Sequence, residues 1–436
     1  MTMRNTTIVL RSGLLAACLA AGVARAQYWE TTIPVGHLPA AVLWNPTSNR
    51  VYVANTESYD VTIIDGATNA VIGTLPVPNN SYLACLCWNS VENKVYCTST
   101  DPDWLNVIDG AGDTLLHRVR MRGSPTYMAY NAQMSKLYVN CRDDRMVRVY
   151  DGTADTLVAE VWLGESNIPY TMLWHPVSNR VFCTTSGNAD SVMVIDCEID
   201  VVAERVYVGG FPYAMCWNPT NNMVYIACNS GIAVLPAAGD SVMLTLPADA
   251  ADMCFAPYPN KIYAVTTGRT YVIDCDSQTV IESLPYPAYV TVCDTVHGKV
   301  YGAARPSVPV FDARTDSLLL TIPLSAGEPR SIAWNSTNGR VYIADDGGDV
   351  VYVIRDTSVA VAEPVAGITL PGRRVTTMCR GRLRLDGSCP ASLLDLTGRQ
   401  VALLKPGDND LRSLRAGVYF VRHEDGAYAN KVILQD

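Results

Sequence analysis

The side chains that could hold a metal ion or carry out catalysis are few and scattered. The sequence has five histidines, whose positions follow no common spacing: His37, His117, His175, His297 and His423. No CxxC pair is present, and Cys85 and Cys87 would share one face of a strand without further ligands close in sequence. A nucleophile elbow, a phosphate-binding loop and a dinucleotide fingerprint are also missing. The sequence therefore predicts no catalytic residue, no metal site and no cofactor.

The 14 cysteines raise the question of disulfides. Most of them replace small apolar residues of an internal repeat: Cys97 and Cys183, for example, stand where another copy has Val53. Such substitutions are typical of buried free thiols. Cys379 and Cys389 are the exception, because they lie ten residues apart on strands that we expect to be adjacent. They form a candidate disulfide, with two free thiols as the alternative.

A recurring aspartate could suggest carboxylate chemistry. It ends an apolar run and opens a turn at six places: Asp65, Asp109, Asp151, Asp196, Asp274 and Asp312. An aspartate at a strand end accepts hydrogen bonds from the backbone amides of the following turn, which explains why it repeats. We therefore predict a structural role for this column.

The repeat itself is marked by a basic or polar residue, an aliphatic residue and an aromatic residue. The aromatic recurs eight times at intervals of 38 to 44 residues: Tyr52, Tyr96, Tyr138, Phe182, Tyr225, Tyr263, Tyr301 and Tyr342. Eight residues before it stands a second, mostly aromatic column: Trp44, Trp88, Tyr130, Trp174, Trp217, Phe255, Cys293 and Trp334. The constant spacing indicates a tight hairpin between the two columns.

Each repeat reads as four short strands joined by turns, which is the pattern of a β-propeller blade. One such sheet cannot bury its apolar residues alone, so neighbouring sheets must pack around an axis. The sequence predicts an all-β protein with a propeller of eight four-stranded blades, or seven if one copy is degenerate. We expect residues 28–35 to complete the last blade as its outer strand, which removes an open edge.

The start of the innermost strand is where equivalent positions differ most between repeats. The eight residues there are Ala40, Ala84, Thr126, Tyr170, Tyr213, Ala251, Tyr289 and Arg330. In a propeller this point lies near one mouth of the central channel, where loops converge. Tyr170, Tyr213, Tyr289 and Arg330 are therefore predicted to bind a ligand, and plugging of the channel is the alternative.

Two parts of the chain resemble known families. Segments such as Asn49-Arg50-Val51-Tyr52-Val53-Ala54-Asn55 and Val61-Thr62-Ile63-Ile64-Asp65 resemble YVTN-type repeats of YncE-like and surface-layer propellers. The resemblance covers about residues 27–360 and implies surface display or secretion and ligand binding, without a shared reaction. The segments 393–401 and 411–422, closed by Lys431-Val432-Ile433-Leu434, resemble the C-terminal sorting domain of type IX secretion cargo. That resemblance implies the type IX machinery as a partner, while an ordinary small β-sandwich is the alternative.

The termini complete the domain organisation. Arg4 and Arg11 precede a short apolar run, and Ala24-Arg25-Ala26 offers a cleavage site, which together indicate a signal peptide over residues 1–26. Leu15-Ala16-Ala17-Cys18 leaves a lipoprotein signal open as an alternative. The propeller is expected over 27–362, a linker over 363–371 and a sandwich-like β-domain over 372–436. The protein would then be secreted or displayed at the cell surface after passing through the periplasm.

Charge and hydropathy limit the partners. The formal net charge of -9, without clustered Lys and Arg, argues against nucleic acid. No segment after the signal peptide is long and apolar enough to predict a transmembrane helix.

Three functions remain: an exported noncatalytic binding or scaffold protein for a protein, peptide or glycan; a propeller enzyme of the lactonase, lyase or quinoprotein kind; or a structural cell-envelope component. We expect the protein to be a monomer under the first of these.

Overall fold

A computed structural model describes most of the chain. It covers residues 27–78, 82–187, 190–324 and 327–356, followed by 377–379, 382–385, 391–394, 400–412, 414, 417–423 and 430–434. The chain divides into two compact units, residues 1–360 and 361–436. Every regular element among the described residues is a strand.

The first unit contains eight four-stranded antiparallel sheets, as the repeat predicts, and not seven. The strands of blades 1 to 4 are β2 (Pro39–Asn45), β3 (Arg50–Asn55), β4 (Asp60–Asp65) and β5 (Val71–Pro76); β6 (Tyr82–Asn89), β7 (Lys94–Thr100), β8 (Trp104–Asp109) and β9 (Thr114–Arg120); β10 (Pro125–Asn131), β11 (Lys136–Cys141), β12 (Met146–Asp151) and β13 (Leu157–Trp162); and β14 (Asn167–His175), β15 (Arg180–Gly187), β16 (Ser191–Asp196) and β17 (Val201–Tyr207).

The remaining blades continue the order. Their strands are β18 (Ala214–Asn218), β19 (Met223–Cys228), β20 (Gly231–Pro236) and β21 (Leu244–Leu246); β22 (Asp252–Ala256), β23 (Lys261–Val265), β24 (Thr270–Asp274) and β25 (Thr279–Leu284); β26 (Val290–Asp294), β27 (Lys299–Ala303), β28 (Ser307–Asp312) and β29 (Leu318–Pro323); and, for blade 8, β30 (Pro329–Asn335), β31 (Arg340–Asp345) and β32 (Val350–Asp356). The fourth strand of blade 8 is β1 (Gln27–Pro34), which pairs antiparallel with β32 from Gln27↔Asp356 to Pro34↔Val350. The ring is therefore closed by strands from its two ends.

The hydrophobic cores lie between neighbouring blades, which explains why one blade cannot fold alone. Tyr52, Val61 and Ile63 of blade 1 pack against Leu83 and Val95 of blade 2, and the same arrangement recurs around the ring. The repeated aromatics of the second strands are almost fully buried in these cores. The five tryptophans of the second column are only half-buried.

Polar side chains also join the blades, at a point that the sequence did not reveal. Lys94 and Tyr96 of blade 2 both donate to Asp155 of blade 3, with Nζ–Oδ2 and Oη–Oδ1 distances of 2.7 Å each. We call this arrangement the inter-blade clamp. Its other copies are Arg50 and Tyr52 with Asp113, Lys136 and Tyr138 with Asp200, Lys261 and Tyr263 with Asp316, and Lys299 and Tyr301 with Asp356.

The second unit is a small β-domain. A five-stranded sheet has the order β33 (Thr377–Cys379), β39 (Asn430–Leu434), β38 (Gly417–His423), β35 (Ala391–Leu394) and β36 (Gln400–Leu404), and β34 (Arg382–Leu385) pairs with β37 (Gly407–Asp410). Leu383, Leu393, Leu404 and Val421 belong to its common core. No helix among the described residues has the length and hydropathy to cross a bilayer.

Candidate ligand-binding site at the channel mouth

The first strands of neighbouring blades lie against one another, so that their starting residues surround the channel mouth. A cavity of about 300 Å³ opens there, and its lining includes Tyr213, Tyr289 and Arg330. Three of the four residues that the sequence singled out therefore share one cavity. Tyr170 is not among the residues that line it, but it joins the site through its aromatic neighbours.

A row of aromatic rings runs from the cavity across the neighbouring blades. The ring centroids are 5.8 Å apart for Tyr127 and Tyr170, 5.8 Å for Tyr170 and Phe211, and 6.3 Å for Phe211 and Tyr213. Tilted pairs at such distances are favourable for aromatic quadrupoles. Tyr170 lies within this row, between Tyr127 and Phe211.

Tyr127 and Phe211 were not predicted to belong to the site. Tyr127 stands one residue after the column used for the prediction, and the pairing of β10 with β11 shifts register between Pro125 and Met128. Such a bulge re-aims side chains at the end of a strand. Phe211 lies in the connection before β18 and has a φ of 45°. Both could have been found by searching for an aromatic residue within two positions of the column at the start of the innermost strand.

Asp252 is a second residue that the sequence reasoning missed. It lines the cavity beside Thr291, and its two oxygens accept hydrogen bonds of 2.8 Å from the amides of Met253 and Thr291. Burial raises the pKa of this carboxyl to about 6, against the opposing effect of the two amides. Ser331 has the equivalent position in blade 8. Its Oγ likewise accepts a hydrogen bond from a backbone amide of the neighbouring blade, that of Val42, at 3.1 Å.

Arg330 is held at the rim of the cavity. Its Nε donates to Asp346 Oδ2, and its Nη2 lies 3.4 Å from Glu328 Oε2. The hydrogen bond to Asp346 raises the pKa of Arg330 further above its ordinary value. The guanidinium charge is therefore balanced by two carboxylates of its own blade.

Tyr127 and Tyr213 stay neutral at physiological pH. Burial raises the pKa of Tyr127 to about 12, and the nearby Tyr170 contributes in the same direction. Burial also raises the pKa of Tyr213. These phenols can therefore offer aromatic faces and hydrogen-bonding hydroxyls, and they do not act as bases.

The aspartate column has the predicted structural role. Asp65 Oδ1 accepts from the amides of Ala67 and Thr68 at 2.9 Å each, and the equivalent aspartates bind their turns in the same way. The Ser277 amide holds the pKa of Asp274 below its ordinary value. The prediction that these carboxylates stabilise turns is confirmed.

One group of potential metal ligands occurs at the interface of blades 7 and 8. One ligand atom from each of Asp294, His297 and Asp356 lies within 4.8 Å of the others. However, Asp356 is already bound by Lys299 Nζ at 2.8 Å, and His297 Nδ1 is 2.6 Å from Asp294 Oδ2. Because the Lys299 ammonium occupies the place of a cation beside Asp356, this cluster is best described as an inter-blade clamp with an added acid–histidine pair.

Eleven cysteines are described as free thiols, and nine of them are buried, as the repeat alignment predicts. Cys85 and Cys87 are half-buried on the inner strand β6. Burial raises the pKa of Cys85 to about 11 and that of Cys183 to about 12, so these thiols remain protonated. Cys379 lies in β33, whereas Cys389 lies outside the described residues, and their disulfide stays a prediction.

Comparison with known proteins supports the fold and goes no further. No known protein family matches the sequence, and no curated protein matches it either. Among solved structures, the chain resembles the crystal structure of the computationally designed Ika8 protein, with a TM-score of 0.59 and 15% sequence identity. The match covers 74% of this chain and 98% of the designed one. At that identity the likeness establishes the architecture alone.

Proposed function

We propose that this protein is an exported, noncatalytic binding or scaffold protein that holds its ligand at the channel mouth. The observation that carries the proposal is the cavity lined by Tyr213 and Tyr289, together with the aromatic row that extends from it through Tyr170. Rigid aromatic side chains in a concave site are characteristic of ligand recognition. The ligand classes that fit such a surface are a protein, a peptide or a glycan.

The charged groups of the cavity favour binding over catalysis. Among the described residues that line it, Asp252 and Arg330 are the charged ones. Asp252 is bound to backbone amides and Arg330 is ion-paired with Asp346, so neither is hydrogen-bonded to a hydroxyl or thiol nucleophile. The enzyme alternative, which rests on fold analogy, therefore receives no specific support.

Binding can be tested with the mature protein, residues 27–436. A panel of peptides and oligosaccharides would be screened by calorimetry against the wild type and the variants Tyr213→Ala and Tyr289→Ala. Tyr207→Ala is the matched control, because Tyr207 ends the outer strand β17 and is exposed. We expect a ligand that binds the wild type and Tyr207→Ala equally well and binds Tyr213→Ala and Tyr289→Ala more weakly. Binding that is equal in all four proteins would overturn the proposed site.

Export is the second part of the proposal and rests on the signal-peptide pattern and the sorting-like tail. We expect the secreted protein to begin at Gln27 and to depend on residues 372–436 and on the type IX machinery for release. N-terminal sequencing of the secreted chain, with and without the tail, tests both points. A protein that stays in the cytoplasm with Met1 intact would contradict them.

The cell-envelope function is the second candidate, because the outer strands expose apolar residues. These include Val71, Ile72, Leu116, Leu157, Val158, Trp162, Val201, Tyr207, Ile281 and Leu319. Exposed apolar residues on the wall of the ring could mediate lateral packing. Sedimentation of the purified protein separates the two candidates, since a surface-layer component self-associates and a soluble binding protein stays monomeric.

A further inference from the structure

Asp252 has no cationic partner among the described residues. Its oxygens accept one backbone amide each, from Met253 and Thr291, and the only influences on its pKa are burial and these two amides. Each carboxylate oxygen can accept two hydrogen bonds, so capacity for further donors remains. A partly buried carboxylate without a counter-charge is unfavourable, and a bound cation would relieve it.

The rest of the mouth does not supply that cation. Arg330 is bound by Asp346 and lies 3.4 Å from Glu328, so the rim carries more negative than positive charge. Asp249 is also near, because its charge contributes to the raised pKa of Tyr213. The electrostatic field at the mouth therefore favours a positively charged ligand.

Aromatic residues line the same cavity as this carboxylate. Tyr127, Tyr213 and Tyr289 line the cavity together with Asp252. Neutral aromatic faces attract alkylammonium groups, and the effect increases where water is partly excluded. A carboxylate and three phenol rings in a cavity of about 300 Å³ suit a group of side-chain size.

We propose that the ligand at the channel mouth carries an alkylammonium group, which binds the Asp252 carboxylate among Tyr127, Tyr213 and Tyr289. The inference rests on the proposed binding function of the mouth and specifies the chemistry of its ligand. A lysine side chain of a peptide and a free polyamine share this chemistry, and the experiment distinguishes the two sources.

The test compares matched probes on the wild-type protein by calorimetry. N-acetyl-lysine methylamide represents the peptide source, spermidine the free amine, and N-acetyl-norleucine methylamide the neutral analogue. We expect the lysine probe to bind at least about tenfold more tightly than its neutral analogue, in line with a hydrogen bond between charged groups. The tighter of the lysine probe and spermidine identifies the source.

Two variants locate the binding site. Asp252→Asn removes the charge, and Asp143→Asn is the control, because Asp143 lines a different cavity with Ser124 and Arg145. We expect Asp252→Asn to weaken amine binding by about tenfold to a hundredfold and Asp143→Asn to leave it unchanged. Circular dichroism of each variant establishes that it is folded, and the comparison of probes on the wild type requires no variant.

The outcomes separate this inference from the proposed function. If amines bind no better than norleucine, the inference is wrong, while neutral ligands that depend on Tyr213 would preserve the binding function. If no probe and no member of the peptide and glycan panel binds, both fail. Amine binding that survives Asp252→Asn would also overturn the inference.

A pH series gives an independent readout. Amine affinity should rise between about pH 5 and pH 7 as Asp252, with its pKa of about 6, loses its proton. Tyr127, Tyr213 and Cys85 do not change charge in this range, because burial raises their pKa values. The hydrogen bond to Asp346 likewise raises the pKa of Arg330, while Glu328, Asp346, Asp249 and Tyr289 are the other titratable groups at the mouth. A pH-independent affinity would contradict the role of Asp252.

Discussion

The hydroxyl of Tyr96 donates a hydrogen bond of 2.7 Å to Asp155, which belongs to the next blade. Asp155 is buried and has a φ of 57°, in the left-handed region that aspartate adopts more readily than most residues. The same carboxylate accepts from Lys94. One side chain in an unusual backbone conformation thus connects two blades.

Removal of this carboxylate should destabilise the ring. In Asp155→Ala, the Lys94 ammonium and the Tyr96 hydroxyl lose their charged acceptor and keep only backbone carbonyl acceptors of the same turn. We expect the free energy of unfolding to fall by about 1–3 kcal/mol. Chemical denaturation measures the change. Gln278→Ala is the control, because Gln278 has the equivalent position in blade 6 and a similar φ of 53°. A similar loss in both variants would show that backbone conformation, and not the clamp, is responsible.

The buried carboxyl of Asp345 should make stability depend on pH. Its Oδ1 accepts from the Gly348 amide at 3.0 Å, its Oδ2 has no partner among the described residues, and burial raises its pKa to about 6. Because the folded pKa lies above the unfolded one, the folded state loses stability as pH rises from about 4 to 6. We expect Asp345→Asn to increase the free energy of unfolding by about 1–3 kcal/mol at pH 7.5 and to change it little at about pH 4.

The pH profile of Asp345→Asn is measured by denaturation in a series of buffers, with Asp143→Asn as an exposed control. Asparagine is compatible with this position, since Asn55 occupies the equivalent strand end in blade 1. A variant that is less stable than wild type at neutral pH would contradict the prediction.

Gly239 should tolerate no side chain. It has a φ of 65°, and an added Cβ would lie 2.7 Å from Cε1 of the buried Phe182 ring. We expect Gly239→Ala to lower the free energy of unfolding by about 1–3 kcal/mol, through backbone strain and overpacking. Gly73→Ala is the matched control, because a Cβ at Gly73 meets nothing within 4 Å. Equal stability of the two variants would disprove this account.

The thiols of the propeller should resist modification in the native state. All eleven described thiols are buried or half-buried, and burial raises the pKa of Cys254 to about 12. With a disulfide-exchange reagent at about pH 7.5, we expect these eleven to react only after denaturation. Residues 27–436 contain 13 of the 14 cysteines, so for a protein of this range a denatured count of 11 indicates the Cys379–Cys389 disulfide and a count of 13 indicates its absence. Fast reaction of propeller thiols would contradict the packing.

The repeat predicted the fold because each copy carries the same apolar pattern, and the buried Tyr52 and Tyr96 stand where the periodicity places them. The clamp escaped notice because Asp155 lies 59 residues after Tyr96, and nothing local relates them. At the mouth, Tyr170 and Tyr213 stand out by type. Asp252 was missed because its importance arises from burial among neighbouring blades, which no single repeat encodes.

The pairing of β1 with β32 determines when the ring can form. Gln27–Pro34 is synthesised first, but its partner Val350–Asp356 follows more than three hundred residues later. Until then the row of blades has the unpaired strand β1 at its N-terminal end and an incomplete blade at its C-terminal end. The proposed export would benefit from this order of events, because the propeller cannot close before nearly all of its residues have been synthesised.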